Sequence, residues 1–286
     1  MNILTFDVEE WFHLLDHPET ATEKKWLSFE SRLETNFNRV LSITSDCNVK
    51  ATFFCLGWIA ERYPELLKRL VDDGHEIACH SSTHQLAYNQ TPEEFRKDLV
   101  KAKDQIFSAT GLRVKTYRIP GFSLTNESLW VLDILFEEGF NVDCSVFPAV
   151  RGHGGLSQFK SDKPCRIKTA NGYLKEFPLN TKKFLGNRII FSGGGYFRLF
   201  PYFILKRLFR ASKYTMTYFH PRDFDPEQPI IPNLSYYRKF KSYVGLRSCE
   251  EKLRKILNEF DFIDVQTASS RIDWDNTPII DINYKI

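Results

Sequence analysis

The chain has 286 residues, 42% hydrophobic and 26% charged, enough to bury a sizeable core in one domain and ordinary for a soluble globular protein. A formal net charge of +3 is too small to imply nucleic-acid binding, and no stretch approaches the ~18 consecutive apolar residues of a transmembrane helix. The opening MNILTFDVEEWF lacks a basic leader region, and the six cysteines show no CxxC spacing and behave as reduced thiols, so a cytoplasmic chain is expected. The aromatic share is high, with 25 Phe, 12 Tyr and 5 Trp, residues that fill cores and also form platforms for sugars.

ILTFDV (3–8) reads as a first strand and RLETNFNRVLSIT (32–44) as a helix, with Leu33, Phe37, Val40, Leu41 and Ile43 on one face. ATFFCL (51–56) is a second strand, AERYPELLKRLVDDG (60–74) a helix ending on Gly74, and HEIAC a third strand. TPEEFRKDLVKAKDQIFSATG (91–111) opens on a Thr cap with Pro at the first helical position and closes at Gly111. KTYRIP is a fourth strand, TNESLWVLDILFEEG (125–139) a helix and FNVDCSV (140–146) a fifth strand. Residues 148–196 then read as an insertion with irregular structure or a hairpin, with YLKEFPL (173–179) its best strand. YTMTYFH (214–220) resumes the core, EEKLRKILNEF (250–260) is a late helix and FIDVQTA (262–268) a last strand. Such alternation points to parallel strands with helices outside.

In parallel βα folds, functional side chains gather at the C-terminal ends of strands. Asp7, Glu9 and Glu10 end the first strand, and His80 and His84 follow the third. Arg118 ends the fourth, Asp143 and Ser145 the fifth, and His220 the resumed core strand. One helical turn across HSSTH would put both imidazoles on one face, where they can bind a single divalent cation. Asp7 and Glu9 share a strand face, so three acids at one strand end call for a compensating cation or arginine.

This combination resembles the polysaccharide deacetylases with NodB homology, carbohydrate esterase family four, over roughly residues 1–225. TFDVEE, HSSTH, YRIPGF, VDCSVFP and YFHPRDFD stand in the order of that family's motifs. The D-V-E-E opening, SGGGYFRLFP and KLRKILNEFDF resemble one branch, associated with bacterial exopolysaccharide or surface-glycan loci. The resemblance implies an α/β fold, an irregular (β/α) barrel with fewer than eight regular strands. We expect a single domain over 1–286, with the insertion at 148–196 and a C-terminal helix–strand extension at 226–286.

The implied activity is metal-dependent removal of an N-acetyl group from a sugar of a surface polysaccharide or its precursor. Asp7 is implied as general base, His220 as general acid, Arg118 as the partner of Asp7, and Asp143 as the acid that holds His220. The backbone N–H of Gly121 is implied as the oxyanion donor. His80, His84 and a carboxylate would hold one divalent ion; zinc is expected, while cobalt, nickel and manganese also suit such donors. The family puts that carboxylate immediately after the base, where this chain has Val8; strand geometry favours Glu9, and Glu10 stays open. Arg151, His153 and Tyr196 are expected at the substrate. Residues 196–210 read either as a core helix or as an interfacial one, with Phe203, Ile204 and Leu208 among headgroups and Lys206, Arg207 and Arg210 near phosphates, which would suit a lipid-linked substrate at the inner membrane face. The alternatives are an allantoinase-like amide hydrolase, an O-acetyl esterase and a non-catalytic glycan-binding module.

Overall fold

The first apolar run forms two strands rather than one. In the computed structural model, which describes residues 1–149, 152, 154–184 and 187–282, β1 (Asn2–Ile3) and β2 (Thr5–Val8) are separated at Leu4, whose N–H donates to Ile263 O. The short helix α1 (Glu23–Trp26) and the amphipathic α2 (Leu33–Asp46) lead to β3 (Thr52–Cys55). The helix expected over 60–74 is two, α3 (Gly57–Arg62) and α4 (Pro64–Asp72). Pro64 drives the residue before it out of helical backbone, and Tyr63 sits at φ −130°, ψ 51°.

β4 (Glu76–Cys79) precedes α5 (Pro92–Thr110), which has the capping box of Thr91 and Glu94 and ends on left-handed Gly111. β5 (Thr116–Tyr117), α6 (Trp130–Glu137) and β6 (Val142–Asp143) continue the βα rhythm, with both strands shorter than expected. The insertion holds two antiparallel hairpins, β7 (Cys165–Lys168) with β8 (Tyr173–Glu176), and β9 (Lys182–Phe184) with β10 (Asn187–Ile189).

Next come α7 (Gly194–Leu199), α8 (Tyr202–Arg210), β11 (Thr215–Met216), α9 (Tyr236–Tyr243) and α10 (Cys249–Glu259). The last expected strand is cut to β12 (Phe262–Ile263), because Asp264 accepts from Thr267 N and starts α11 (Val265–Ser270). A strand absent from the sequence reading, β13 (Ile279–Asp281), pairs with β7.

One ladder of eight strands runs β13-β7-β8-β6-β5-β4-β3-β2 and is parallel except between β7 and β8; β11-β1-β12 form a parallel second sheet. The architecture is an irregular (β/α) barrel, since the eight include the two-residue β5 and β6 and strands of the insertion and C-terminal segment. Opposite β3, β2 meets the segment after β11 through the parallel bridge Phe6–Phe219. Phe6 stacks on Phe53 at 5.1 Å and leans on Phe219 and Phe224, so β2 is wedged between β3 and the segment after β11.

In α8, Leu205 and Phe209 are buried, while Ile204 and Leu208 pack partly against the core. Of the three apolar residues assigned to an interfacial face only Phe203 is largely exposed, so the stripe turns inward and the core-helix reading fits. Among the described residues no helix is long and apolar enough to cross a membrane.

Candidate active site

Asp7 and Glu9 leave β2 on the same face, as alternation requires, and both are buried. Glu9 Oε1 lies 3.0 Å from His80 Nε2 and 2.8 Å from His84 Nε2. The two imidazoles converge without a helical turn: Ser81 and His84 take φ of +70° and +56°, and Ser81 Oγ accepts from His84 N. The expected face was right and the expected conformation was not, because two left-handed residues fold the loop back on itself.

His80 Nδ1 donates to Arg118 O at 2.8 Å, which in the neutral ring leaves the Nε2 lone pair facing Glu9. His84 Nε2 is buried and in no hydrogen-bonding geometry despite its short distance to Glu9. Two imidazole nitrogens and a carboxylate oxygen therefore surround one point, an arrangement that suits a small cation. Burial alone would raise the Glu9 pKa, but His84, His220 and His80 hold it well below the usual carboxylate range.

Glu10, the other carboxylate left open, points elsewhere. It accepts from Ser31 Oγ and from the backbone N–H of Arg32 and Leu33, capping the start of α2, and burial raises its pKa despite those bonds.

Arg118 is wholly buried; its Nη1 donates to Asp7 Oδ1 at 2.6 Å and to Thr5 Oγ1 at 2.8 Å, and its guanidinium lies 3.9 Å above the Phe54 ring. His220 Nε2 is 3.9 Å from both Asp7 Oδ2 and Glu9 Oε1. Gly121, at φ +63°, lines the same cavity of about 250 Å³ as Asp7, Glu9, His84 and His220.

Asp143 does not hold His220. Its Oδ1 accepts from Ser145 Oγ, and it faces Glu176 across the β6–β8 register. Burial raises the pKa of Glu176 well above the usual range, and the neighbouring Asp143 adds to it. The carboxylate beside His220 is Asp223, whose Oδ2 accepts from His220 N at 2.9 Å and lies 3.3 Å from Nδ1. Burial would lower the His220 pKa, but Glu9, Asp223 and Asp7 outweigh it and push it up to about 9. Asp223 is also buried, yet Arg198 and His220 bring it down to about 2. The signal was in the sequence: Asp223 follows His220 by three residues with Pro221 between, the spacing of a capping turn.

His13 was missed as well. It lines the cavity, its Nδ1 accepts from Glu10 N, and its buried Nε2 has no partner; burial, with His84 nearby, holds its pKa well below the ordinary value. Of the expected substrate contacts, Tyr196 stacks on Phe200 and is half exposed, while Gly194 and Gly195 line the cavity in its place. Arg151 and His153 lie outside the described residues.

The polysaccharide deacetylase family matches residues 17–135, and a domain of unknown function, DUF3473, matches residues 144–270. The peptidoglycan-N-acetylglucosamine deacetylase of Bacillus cereus is 30% identical over 128 residues, 44% of this chain and 46% of that protein. Over residues 17–135 the chain is similar to the polysaccharide deacetylases, and it spans about half the length of this curated relative. Among solved structures, the chain superposes on a Mycobacterium smegmatis chain assigned as a polysaccharide deacetylase with a TM-score of 0.64 at 20% identity, covering 95% of this chain and 89% of that one. A CE4 family pseudoenzyme from Bacillus anthracis superposes at 0.50 and 16% identity, over 93% of this chain and 64% of its own. At such identities the likeness shows the fold, and a pseudoenzyme shares it, so activity has to be argued from the site. Asp7 and Glu9 precede the first matched segment, His80, His84 and Arg118 lie within it, and His220 and Asp223 fall in the second.

Proposed function

We propose that the chain is a metal-dependent N-deacetylase that hydrolyses the acetamide of an N-acetylated sugar in a bacterial surface polysaccharide or its precursor. Glu9, His80 and His84 would hold the divalent ion, for which zinc suits the donor set of two imidazoles and a carboxylate. Bound there, such an ion supplies Lewis-acid polarisation of the acetyl carbonyl and lowers the pKa of water. Asp7, oriented by Arg118, takes a proton from the attacking water. The Gly121 N–H donates to the carbonyl oxygen as it gains negative charge, a contribution typically worth ~10²–10³ in rate. His220, held by Asp223, protonates the departing nitrogen as the C–N bond breaks, releasing acetate and the free amine.

The observation that carries this reading is that His220 Nε2 lies 3.9 Å from both Asp7 and Glu9 at one cavity, with an arginine on Asp7 and a carboxylate on His220. The test is acetate release from N-acetylglucosamine oligomers by zinc-loaded protein. We expect turnover that falls ~10²–10⁴-fold in Asp7→Asn, the usual range for loss of a general base. A zinc-loaded protein that binds such oligomers and releases no acetate would be the glycan-binding module instead.

A further inference from the structure

Past His220 the cavity lining changes character. Arg198, Arg222, Arg238 and Lys241 all face it, against three lining carboxylates, Asp7, Glu9 and Asp223. Those acids are taken: Asp7 by Arg118, Glu9 by the two histidines and Asp223 by Arg198 at 3.3 Å and His220. Arg198 has a structural task too, donating to the carbonyls of Lys241 and Ser242 and so tying the end of α9 to α7.

The other three cations form ion pairs with no carboxylate among the described residues. Arg222 is 9% exposed; its Nη1 donates to Trp11 O, while Nη2 is buried without a partner. Arg238 gives its two terminal nitrogens to the carbonyls of Leu15 and Asp16. The Lys241 amine lies 5.3 Å from the Tyr237 ring. A buried guanidinium nitrogen with no hydrogen-bond partner among the described residues is costly, and two further cations line the same cavity, so this lining is suited to an anion.

We infer that the Arg222–Arg238–Lys241 wall is a subsite for an anionic group carried by the saccharide, a phosphate ester or a carboxylate next to the N-acetylated sugar. This rests on the deacetylase reading and adds to it the charge of the substrate. A cavity of about 250 Å³ has room for one sugar unit, so the acetamide at Asp7 and His220 and an anion on that sugar or its neighbour are bound together.

The test uses matched pairs. N-acetylglucosamine 1-phosphate is set against methyl N-acetylglucosaminide, and an alternating N-acetylglucosamine–glucuronic acid oligomer against a neutral N-acetylglucosamine oligomer. Acetate release on zinc-loaded protein should favour at least one anionic member about tenfold or more in kcat/KM at low salt, and the advantage should shrink as salt screens it. Preference for the phosphate assigns a glycosyl phosphate, and preference for the uronate an acidic polysaccharide. Lys241→Glu should abolish the preference, whereas Lys239→Glu, the same charge change on the same helix outside the cavity, should keep it. Equal kcat/KM within both pairs, or equal effects of the two variants, overturns the subsite. Calorimetric titration of Asp7→Asn with the same ligands separates the two readings. Anion preference in binding without turnover by the unsubstituted protein sinks the deacetylase and keeps the subsite, and turnover without preference does the reverse.

Discussion

A histidine that acts as a general acid must be protonated when substrate arrives, and His220 has two sources of support for that charge. Glu9 and Asp7 attract it across 3.9 Å, and Asp223 holds Nδ1 at 3.3 Å. A divalent ion on Glu9 would offset the first source, leaving Asp223 as the group that keeps the ring charged. Activity limited by the acid falls as pH rises through the His220 pKa. Asp223→Asn removes the hydrogen bond and the attraction that raise this pKa, so the basic limb of kcat/KM moves to lower pH. A pH–rate profile checks the sign: a uniformly slower enzyme with an unmoved limb would mean that Asp223 only shapes the turn. At this scale the sequence conveyed residue types and left partners open. The resemblance implies Asp143 as the mate of His220, whereas it pairs across strands with Glu176, over thirty residues away in the chain, and Asp223 stands beside the ring.

Elements were legible where their signals are local. Thr91, Pro92 and Gly111 mark α5 at both ends, and Pro64 marks the break between α3 and α4 for a reader who weighs its effect on Tyr63. The HSSTH loop was not legible, since nothing in its composition announces that Ser81 and His84 take left-handed backbone. The start of α2 was legible to within one residue, but its cap was not, since Arg32 offers no side-chain cap and the acceptor comes from more than twenty residues upstream, at Glu10. That long-range cap separates two adjacent acids by task and yields a prediction. Glu10→Ala strands the N–H groups of Arg32 and Leu33 and should cost about 1–2 kcal/mol of stability, the usual scale for a lost cap. Zinc affinity should stay within a few-fold of the unsubstituted protein. Thermal unfolding and equilibrium dialysis together would show it, and a variant that loses zinc with little change in stability would hand the ligand role to Glu10.

At the scale of the whole molecule, the site exists because β2 is held on both edges: β3 pairs with it on one side and Phe219 bridges to it on the other. Asp225, fully buried, accepts two bonds from Arg32 and one from Arg39, clasping the turn that follows His220 to α2. The three ligand candidates come from segments some seventy residues apart and meet, buried, only in the folded chain. Folding and ion binding are therefore linked: an ion that binds the folded chain and not the unfolded one stabilises it by about 2.7 kcal/mol at a hundredfold excess over its dissociation constant. For a chain of this size that corresponds to a rise of roughly 4–5 °C in Tm, reversed by a chelator. Glu9→Gln should remove most of that response, since an amide oxygen is a far weaker ligand than a carboxylate, and the ion-free Tm should fall, since a buried carboxylate that His84, His220 and His80 favour in its charged form is lost. Differential scanning fluorimetry with and without zinc reads both quantities. A zinc response in Glu9→Gln equal to that of the unsubstituted protein would place the ion at some other group and dismantle the centre built from Glu9, His80 and His84.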